Sequence, residues 1–253
     1  MTNATKTPAA ARRNKPGKSE DIALLSDLVG QEKLKAALVQ MIQAAVERGD
    51  TMEHLLLCAP PRMGKRAFAQ ATANELGVSF SSISGSSIST ALEMGLILTK
   101  VQAGDVLFVD EVQGLRVRPR EILLQAMDAA QMSIVLGKGA TARAVTLTLP
   151  RFTVICGTSK PTMVDERFVP LLFRFVLSDY AIGELSQLIF QHATNLGINL
   201  EPSAVALIAE SSNGLPGKAR VLLERVARLA DTSADRAMSL ATTRRWLGAL
   251  GEF

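Results

Sequence analysis

A short apolar run, a proline-rich turn, a Gly-Lys pair and an alanine-rich segment follow one another in residues 54–68. This order predicts a strand, a loop and a helix. Such a loop directs backbone N–H groups and a helix N-terminus at phosphates, with Lys65 as a mobile cation above them. It approximates the pattern G-x-x-x-x-G-K-[ST], but Ala59 occupies the first glycine position and Arg66 the Ser/Thr position. The stretch predicts a phosphate-binding loop with altered contacts.

A second signal comes from residues 105–111, where four apolar residues lie between acids. This pattern predicts a strand buried on both faces of a parallel sheet. Its last acids, Asp110 and Glu111, would lie at the edge where parallel sheets bind ligands. Asp110 can hold Mg²⁺ and Glu111 can polarise an attacking water. A lone acidic pair is a weak signal, because acids also favour helix N-termini, but the two signals in this order predict a P-loop NTPase.

Composition favours an α/β domain with helical parts over an all-β sandwich. The 253 residues are 47% hydrophobic but only 4% aromatic, so we expect an aliphatic core.

A net charge of +4 is compatible with nucleic acid but does not by itself indicate it. Cys58 and Cys156 both end apolar runs, which predicts reduced core thiols in a cytoplasmic protein. No segment has the apolar length of a membrane helix.

The patterns divide the chain into three parts. The polar, aperiodic sequence of residues 1–21 predicts a disordered basic arm. This arm would be either a tail that binds phosphates or a leader that increases solubility. Residues 22–180 alternate strands and helices and predict a three-layer α/β domain with a parallel sheet. Residues 181–253 predict a small all-α domain. Predicted helices cover residues 32–48, 65–76, 90–100, 116–130, 182–195, 202–212, 217–231 and 235–249, and predicted strands cover 54–58, 78–83, 105–111, 132–139, 143–150, 152–159 and 173–180.

Residues 131–149 predict a β-hairpin within the α/β domain. Val145, Leu147 and Leu149 share one face of its second strand. Such a hairpin is either tucked into the core or exposed as a docking edge, and the sequence favours neither.

This order of parts resembles an AAA+ ATPase, in which a P-loop domain precedes a helical lid. It is more closely similar to the RuvB family of Holliday-junction branch-migration motors. The resemblance extends over residues 24–230 without large gaps, and no single segment carries it. Its segments are residues 28–31, 48–50, 54–56, 60–61, 64–65, 105–111, 126–128, 149–150, 152–153 and 196–197.

The resemblance implies a site for ATP or ADP with Mg²⁺. Lys65 would bind the β- and γ-phosphates, Asp110 would hold the metal and Glu111 would activate water. Thr158, or in second place Ser159, would be the first sensor. Arg174 would be an arginine finger that reaches a neighbouring subunit's nucleotide, which implies a ring. The nucleotide-binding residues would be Pro61, Arg62, Met63, Gly64, Lys65, Arg66, Ala67, Lys218 and Tyr180, with Tyr180 near the adenine.

Several positions depart from the family pattern. Ala59 and Arg62 occupy glycine places in the loop, and Arg66 removes the hydroxyl that ligates Mg²⁺, which puts the metal in doubt. Leu172 replaces the first arginine of the finger motif. Gly217 stands where the family has its lid arginine, with Lys218 one place away. Because the sequence ends after the lid, we expect no winged-helix domain.

The sequence therefore predicts a RuvB-type AAA+ subunit in DNA recombination or repair that binds ATP or ADP with weak or absent hydrolysis. The alternative is a nucleotide-independent scaffold or regulatory subunit that binds protein partners. A branch-migration helicase in its own right is a third possibility. We expect a homo- or hetero-oligomeric ring, a protein partner at residues 131–149, and DNA contact that is indirect or made by the basic arm.

Overall fold

The computed structural model describes residues 24–136, 143–230 and 237–251, so the predicted basic arm lies outside the described residues. No helix within these ranges is long and apolar enough to cross a membrane. The helices are α1 (Glu32–Arg48), α2 (Lys65–Leu76), α3 (Ala91–Leu98), α4 (Val117–Ala129), α5 (Ile182–Asn195), α6 (Pro202–Ser211), α7 (Pro216–Ala230) and α8 (Leu240–Ala249). The strands are β1 (Leu55–Cys58), β2 (Phe80–Ser84), β3 (Val106–Asp110), β4 (Gln131–Leu136), β5 (Arg143–Thr148), β6 (Thr153–Thr158), β7 (Phe173–Val176), β8 (Asn199–Leu200) and β9 (Ala237–Met238).

Five parallel strands form the central sheet in the order β2-β3-β6-β1-β7. The inner strands β1 and β6 are buried along their whole length, and β3 is buried up to Asp110, as continuous apolar runs require. The outer strand β2 is only partly buried and begins at Phe80 instead of residue 78. Cys58 and Cys156 are free thiols buried in this sheet, which confirms their predicted place in strands. The predicted parallel α/β architecture is confirmed.

Apolar cores cover both faces of the sheet, which makes the domain three-layered. One core holds side chains of α3 and α4 against β3 and β6. The other begins with α1 and α2 and continues without a break into the buried faces of α5, α6, α7 and α8. The helical domain therefore shares a core with the P-loop face of the sheet.

The strands β4 and β5 pair in antiparallel fashion and form a hairpin apart from the central sheet. Met132 is fully buried, and a Cβ added at Gly95 of α3 would lie 2.4 Å from Ile134 Cδ1, so β4 packs tightly on α3. Opposite them, Leu147 and Val145 of β5 are 41% and 37% exposed. The hairpin is thus tucked in along β4 and exposed along β5, and the role of β5 as a docking edge stays a prediction. Leu149 lies beyond β5 and is buried, and residues 137–142 are outside the described ranges.

The C-terminal domain is helical, as predicted, and contains one short strand pair that the sequence analysis did not predict. β8 and β9 form a two-residue parallel pair, and the Glu201 N–H donates to the Met238 carbonyl. Leu200 and Met238 are buried by this pairing. The last helix consequently begins at Leu240, after an N-cap by Ser239, and not at residue 235. A pairing this short leaves no periodic pattern in the sequence for prediction to detect.

His54, just before β1, carries a prediction about pH. Its Nδ1 accepts a hydrogen bond from the Val154 N–H at 2.9 Å, which leaves Nε2 to donate to the Met127 carbonyl at 3.3 Å. Burial lowers the pKa of His54, against a smaller opposing effect of the Met127 carbonyl. The unfolded chain therefore binds a proton at His54 more readily than the folded chain does. The free energy of unfolding has its full value above about pH 6.5 and decreases as the pH falls below that value. Thermal melts between pH 8 and pH 5.5 should show this slope, and His54→Gln should flatten it.

Candidate functional site

The loop between β1 and α2 turns through two residues with left-handed backbone conformations. Gly64, which precedes the first residue of α2, has φ +88°, a value that glycine adopts without strain. Arg62 has φ +67°, which costs about 1–3 kcal/mol in a non-glycine residue. The first N–H groups of α2 have no partner inside the helix, and Gly64 has no side chain to cap them. They are therefore available to an anionic group at the loop.

Lys65 is the first residue of α2 and is only 6% exposed. Its Nζ donates to the carbonyls of Ala59 at 2.9 Å and Pro60 at 3.1 Å. The same nitrogen lies 3.6 Å from Glu111 Oε1, beyond the end of β3. The ammonium group is thus held inside the loop and faces the acidic end of β3, which is separated from β1 by β6 in the sheet.

Four side chains connect the ends of β3 and β6 around Glu111. Glu111 Oε2 accepts hydrogen bonds from Ser159 Oγ and from Gln113 Nε2, and Gln113 Oε1 accepts one from Thr158 Oγ1 at 2.7 Å. Burial disfavours the charged form of Glu111, but these donors and Lys65 outweigh it, so its pKa is lowered. Glu111 is therefore held as an oriented carboxylate, the form that can accept a proton from water.

Gln113 was missed in the sequence analysis and links Thr158 to Glu111. Thr158, the first choice for the sensor, is fully buried and bonds to Gln113, whereas Ser159 bonds directly to Glu111. The only sequence signal for Gln113 is its place two residues after Glu111. A short 3₁₀ turn, Val112–Gly114, returns its side chain towards the carboxylate.

Asp110 and Lys65 approach each other across Gly157 of β6. A Cβ added at Gly157 would lie 3.0 Å from Asp110 Oδ1, 3.3 Å from Lys65 Cε and 3.0 Å from Phe108 Cζ. Asp110 Oδ1 also accepts the Glu111 N–H at 3.1 Å. The absence of a side chain at position 157 therefore allows the metal candidate and the phosphate candidate to lie side by side.

Gly157→Ala should disturb this approach. We expect it to destabilise the fold by about 1–3 kcal/mol, the usual cost of overpacking, and to weaken ATP binding by about tenfold, which corresponds to 1.4 kcal/mol. Calorimetric titration with ATP and thermal melts measure both effects. Gly248→Ala in α8 is the matched control, because its added Cβ meets nothing within 4 Å. Equal behaviour of the two variants would contradict the packing described here.

Tyr180 closes the side of the loop that faces the helical domain. Its hydroxyl would lie 3.9 Å from a Cβ at Gly64, and its Cε1 would lie 2.9 Å from a Cβ at Gly30. Burial is the largest cause that raises the pKa of Tyr180 to about 12, and the negative charge of Glu184 is the second. The phenol therefore stays protonated. Gln31 secures this region by pairing its amide with the backbone N–H and carbonyl of Ser178.

The remaining predicted residues are divided between the site and the surface. Arg66 Nη1 donates to Ser82 Oγ at 2.8 Å and its guanidinium lies over the Phe80 ring, so it is directed at β2. Arg174 is exposed on the outer strand β7, opposite Leu56. Within the loop and the first turn of α2, Pro61 and Arg62 are exposed, Ala67 is half-buried and Met63 is fully buried.

The helical domain reaches the loop through its backbone. The Gly217 N–H, at the start of α7, donates to the Arg62 carbonyl at 2.9 Å. Lys218 follows in the first turn of the same helix, where its own N–H donates to the Leu215 carbonyl. The lid position next to the loop therefore offers a glycine, with Lys218 one residue further along.

The loop fits a nucleotide phosphate better than it fits Mg²⁺. Lys65 and the uncapped helix N-terminus are the groups that bind phosphates. For Mg²⁺, bound by one or two carboxylates together with phosphate oxygens, the loop offers Asp110, while Arg66 presents no oxygen where a hydroxyl is usual. No group of three acidic, histidine or cysteine side chains suited to a metal occurs among residues 24–136, 143–230 and 237–251. Asp110, the predicted metal ligand, lies beside Lys65 at this loop.

Comparison with known proteins identifies the family. The sequence model of the Holliday junction DNA helicase RuvB P-loop domain matches residues 22–179. The chain belongs to this RuvB family. The RuvB subunit of the Holliday junction branch migration complex from Lactobacillus gasseri is 36% identical over 228 residues, which cover 88% of this chain and 66% of that protein. The RuvB subunit from Orientia tsutsugamushi is 37% identical over 208 residues, which cover 81% and 63%.

A solved structure of Thermotoga maritima RuvB, described as a Holliday junction branch migration motor, has a TM-score of 0.79 with 26% sequence identity. The match covers 90% of this chain and 72% of that chain. A mutant of the same RuvB gives a TM-score of 0.81. The predicted AAA+ fold and the resemblance to RuvB are confirmed. The chain spans about two thirds of the length of its curated RuvB relatives.

Proposed function

We propose that this chain is a nucleotide-binding AAA+ subunit of RuvB type that acts on DNA in recombination or repair. The observation that carries the proposal is the position of Lys65, at the N-terminus of α2 and 3.6 Å from a Glu111 carboxylate that Ser159 and Gln113 orient. A phosphate-binding cation beside an oriented carboxylate is the arrangement that binding and cleavage of a nucleoside triphosphate requires.

In this proposal Lys65 leaves the carbonyls of its own loop and binds the β- and γ-phosphates together with the N–H groups of α2. Tyr180 lies on the side of the adenine, and Glu111 accepts a proton from the attacking water, which Ser159 and Gln113 help to position. Hydrolysis is slow, because Arg66 contributes no hydroxyl and Gly217 no cation to the reacting phosphate. Loss of one such transition-state contact typically reduces the rate by about 10²–10³-fold.

Two exposed surfaces support assembly with other chains. Arg174 lies on the outer strand β7 beside the exposed Phe173 and Val176, a place from which it can act on a neighbouring subunit's nucleotide. Val145 and Leu147 of the hairpin are exposed apolar residues suited to a protein partner. We propose a cytoplasmic ring, homo- or hetero-oligomeric, that contacts DNA indirectly or through the basic arm.

A nucleotide-independent scaffold is the second candidate, and one observation favours it. Lys65 is already satisfied by the carbonyls of Ala59 and Pro60, so the loop is stable without any phosphate. In that case the hairpin and the lid would bind partners while the nucleotide site stayed unused.

Thermal melts with and without ATP distinguish the two candidates. At a ligand concentration 100 times Kd, binding to the folded state contributes about 2.7 kcal/mol, which raises Tm by roughly 5–10 °C for a chain of this size. An unchanged Tm at millimolar ATP and at millimolar ADP, each with Mg²⁺ and with EDTA, would reject nucleotide binding and leave the scaffold. Light scattering with and without ATP then measures the oligomeric state.

A further inference from the structure

We propose that this chain binds its nucleotide without Mg²⁺, with the guanidinium of Arg62 providing the charge that the metal otherwise supplies. The inference rests on the proposed nucleotide site and goes beyond it, because it assigns a binding role to a residue that departs from the family pattern. Three observations support it: the partners of the three cations at the loop, the anchored backbone of Arg62, and its close packing against Gly217.

The three cations of the loop have different partners. The charge of Lys65 is bonded to two carbonyls and lies near Glu111. The charge of Arg66 is bonded to Ser82 and lies over Phe80. Arg62 is exposed, and its guanidinium has no hydrogen bond or ion pair with any residue that the structure describes. Arg62 is therefore the cation whose full hydrogen-bonding capacity is available to a ligand.

The backbone of Arg62 is held in place from two sides. Its carbonyl accepts the Gly217 N–H at 2.9 Å, and the next residue, Met63, is fully buried. The left-handed conformation of Arg62 (φ +67°) is unfavourable for a non-glycine residue and persists only where the surroundings impose it. The backbone position from which this long cationic side chain extends is thereby fixed at the phosphate loop.

Gly217 leaves the space that Arg62 occupies. A Cβ added at Gly217 would lie 2.7 Å from Arg62 Cβ and 2.9 Å from its carbonyl oxygen. No side chain fits at position 217 while the backbone of residue 62 keeps its place, so the loop conformation that presents Arg62 requires the lid glycine. At position 217 the helical domain therefore provides a backbone N–H that binds the Arg62 carbonyl, and no positively charged side chain.

The chemistry of the two groups explains why the metal becomes dispensable. Mg²⁺ holds a nucleotide by bridging phosphate oxygens to one or two carboxylates, and here Arg66 has removed the usual hydroxyl ligand and left Asp110. A guanidinium is charged at every physiological pH and binds phosphate oxygens in a bidentate manner. Arg62 therefore provides the fixed countercharge that the incomplete metal site lacks.

The test is calorimetric titration of the purified chain with ATP, once with Mg²⁺ and once with EDTA. We expect the Kd of the wild type to differ by less than about threefold between the two conditions. Arg62→Gln should weaken binding by about tenfold or more under both conditions, the effect of losing a hydrogen bond to a charged group, and Arg62→Lys, which keeps the positive charge, should recover part of this loss. The control Arg118→Gln removes the same charge from an 82% exposed site on α4 and should change neither Kd.

Gly217→Ala provides a second variant that retains every charge. It should weaken binding in EDTA by displacing Arg62, while Gly248→Ala should not, and thermal melts confirm that both variants fold. A wild-type Kd that is more than about threefold lower with Mg²⁺ than with EDTA overturns the inference and leaves the proposed nucleotide site intact. A loss in Arg62→Lys as large as in Arg62→Gln also overturns it, because the charge of Arg62 then contributes nothing and the residue only shapes the loop. No binding under either condition overturns the proposed function itself.

Discussion

Replacement of Lys65 by alanine is expected to weaken ATP binding by about 100-fold. Lys65 donates charge-assisted hydrogen bonds from a site that is 6% exposed, at the N-terminus of α2. Hydrogen bonds to charged groups contribute about 1.5–3 kcal/mol each, and two decades of affinity correspond to about 2.8 kcal/mol. Titration of wild type and variant with a fluorescent ATP analogue measures the difference.

Lys33→Ala is the control for this variant, because it removes the same charge from an exposed position on α1. A melt of the ligand-free proteins is also needed, since Lys65→Ala removes the donor to the carbonyls of Ala59 and Pro60. A folded Lys65→Ala chain that binds ATP as tightly as the wild type would show that the nucleotide lies elsewhere.

Phe108→Ala is expected to destabilise the folded state by about 3–5 kcal/mol, the usual cost of emptying a fully buried phenylalanine site. Phe108 is the centre of β3, has no exposed surface and stacks on Phe80 with ring centroids 6.5 Å apart. Its ring also supports the site, because Cζ lies beneath Gly157 beside Asp110. Urea unfolding followed by circular dichroism measures the loss.

Phe190→Ala makes the same chemical change at a position that is 61% exposed on α5. We expect it to change stability by no more than about 0.5 kcal/mol, as for most surface substitutions. Similar losses in the two variants would mean that β3 is not the core strand described here.

The fold could be predicted from sequence where local and tertiary preferences agree. The helix α2 has the predicted bounds because a glycine precedes it and Gly77 ends it in a left-handed conformation. The strand β3 was evident because a buried parallel strand must be apolar throughout. The pairing of β8 with β9 was not, because two residues carry no period.

The site was predictable in its residues and only partly in its contacts. Lys65, Asp110 and Glu111 could be chosen by residue type and chain order, and the structure brings them together. The bonds from Ser159 and Gln113 to Glu111 depend on side-chain direction at the ends of two strands, which no spacing rule determines.

The different orientations of Arg62 and Arg66 also could not be predicted from the sequence. In the sequence, Arg62 replaces a glycine of the family pattern and Arg66 replaces a hydroxyl residue, and neither replacement indicates where the guanidinium lies. Ser82 and Phe80 on the adjacent strand bind Arg66, and the lid glycine Gly217 anchors Arg62, so only tertiary packing separates their roles.

An experimental structure of the chain with saturating ATP tests most directly whether the altered loop still binds a triphosphate. We predict triphosphate density at the N-terminus of α2, with Lys65 Nζ moved from the carbonyls of Ala59 and Pro60 to the β- and γ-phosphates. A loop in which Lys65 keeps both carbonyl bonds, with no nucleotide density beside it at saturating ATP, would contradict nucleotide binding by this RuvB-family chain.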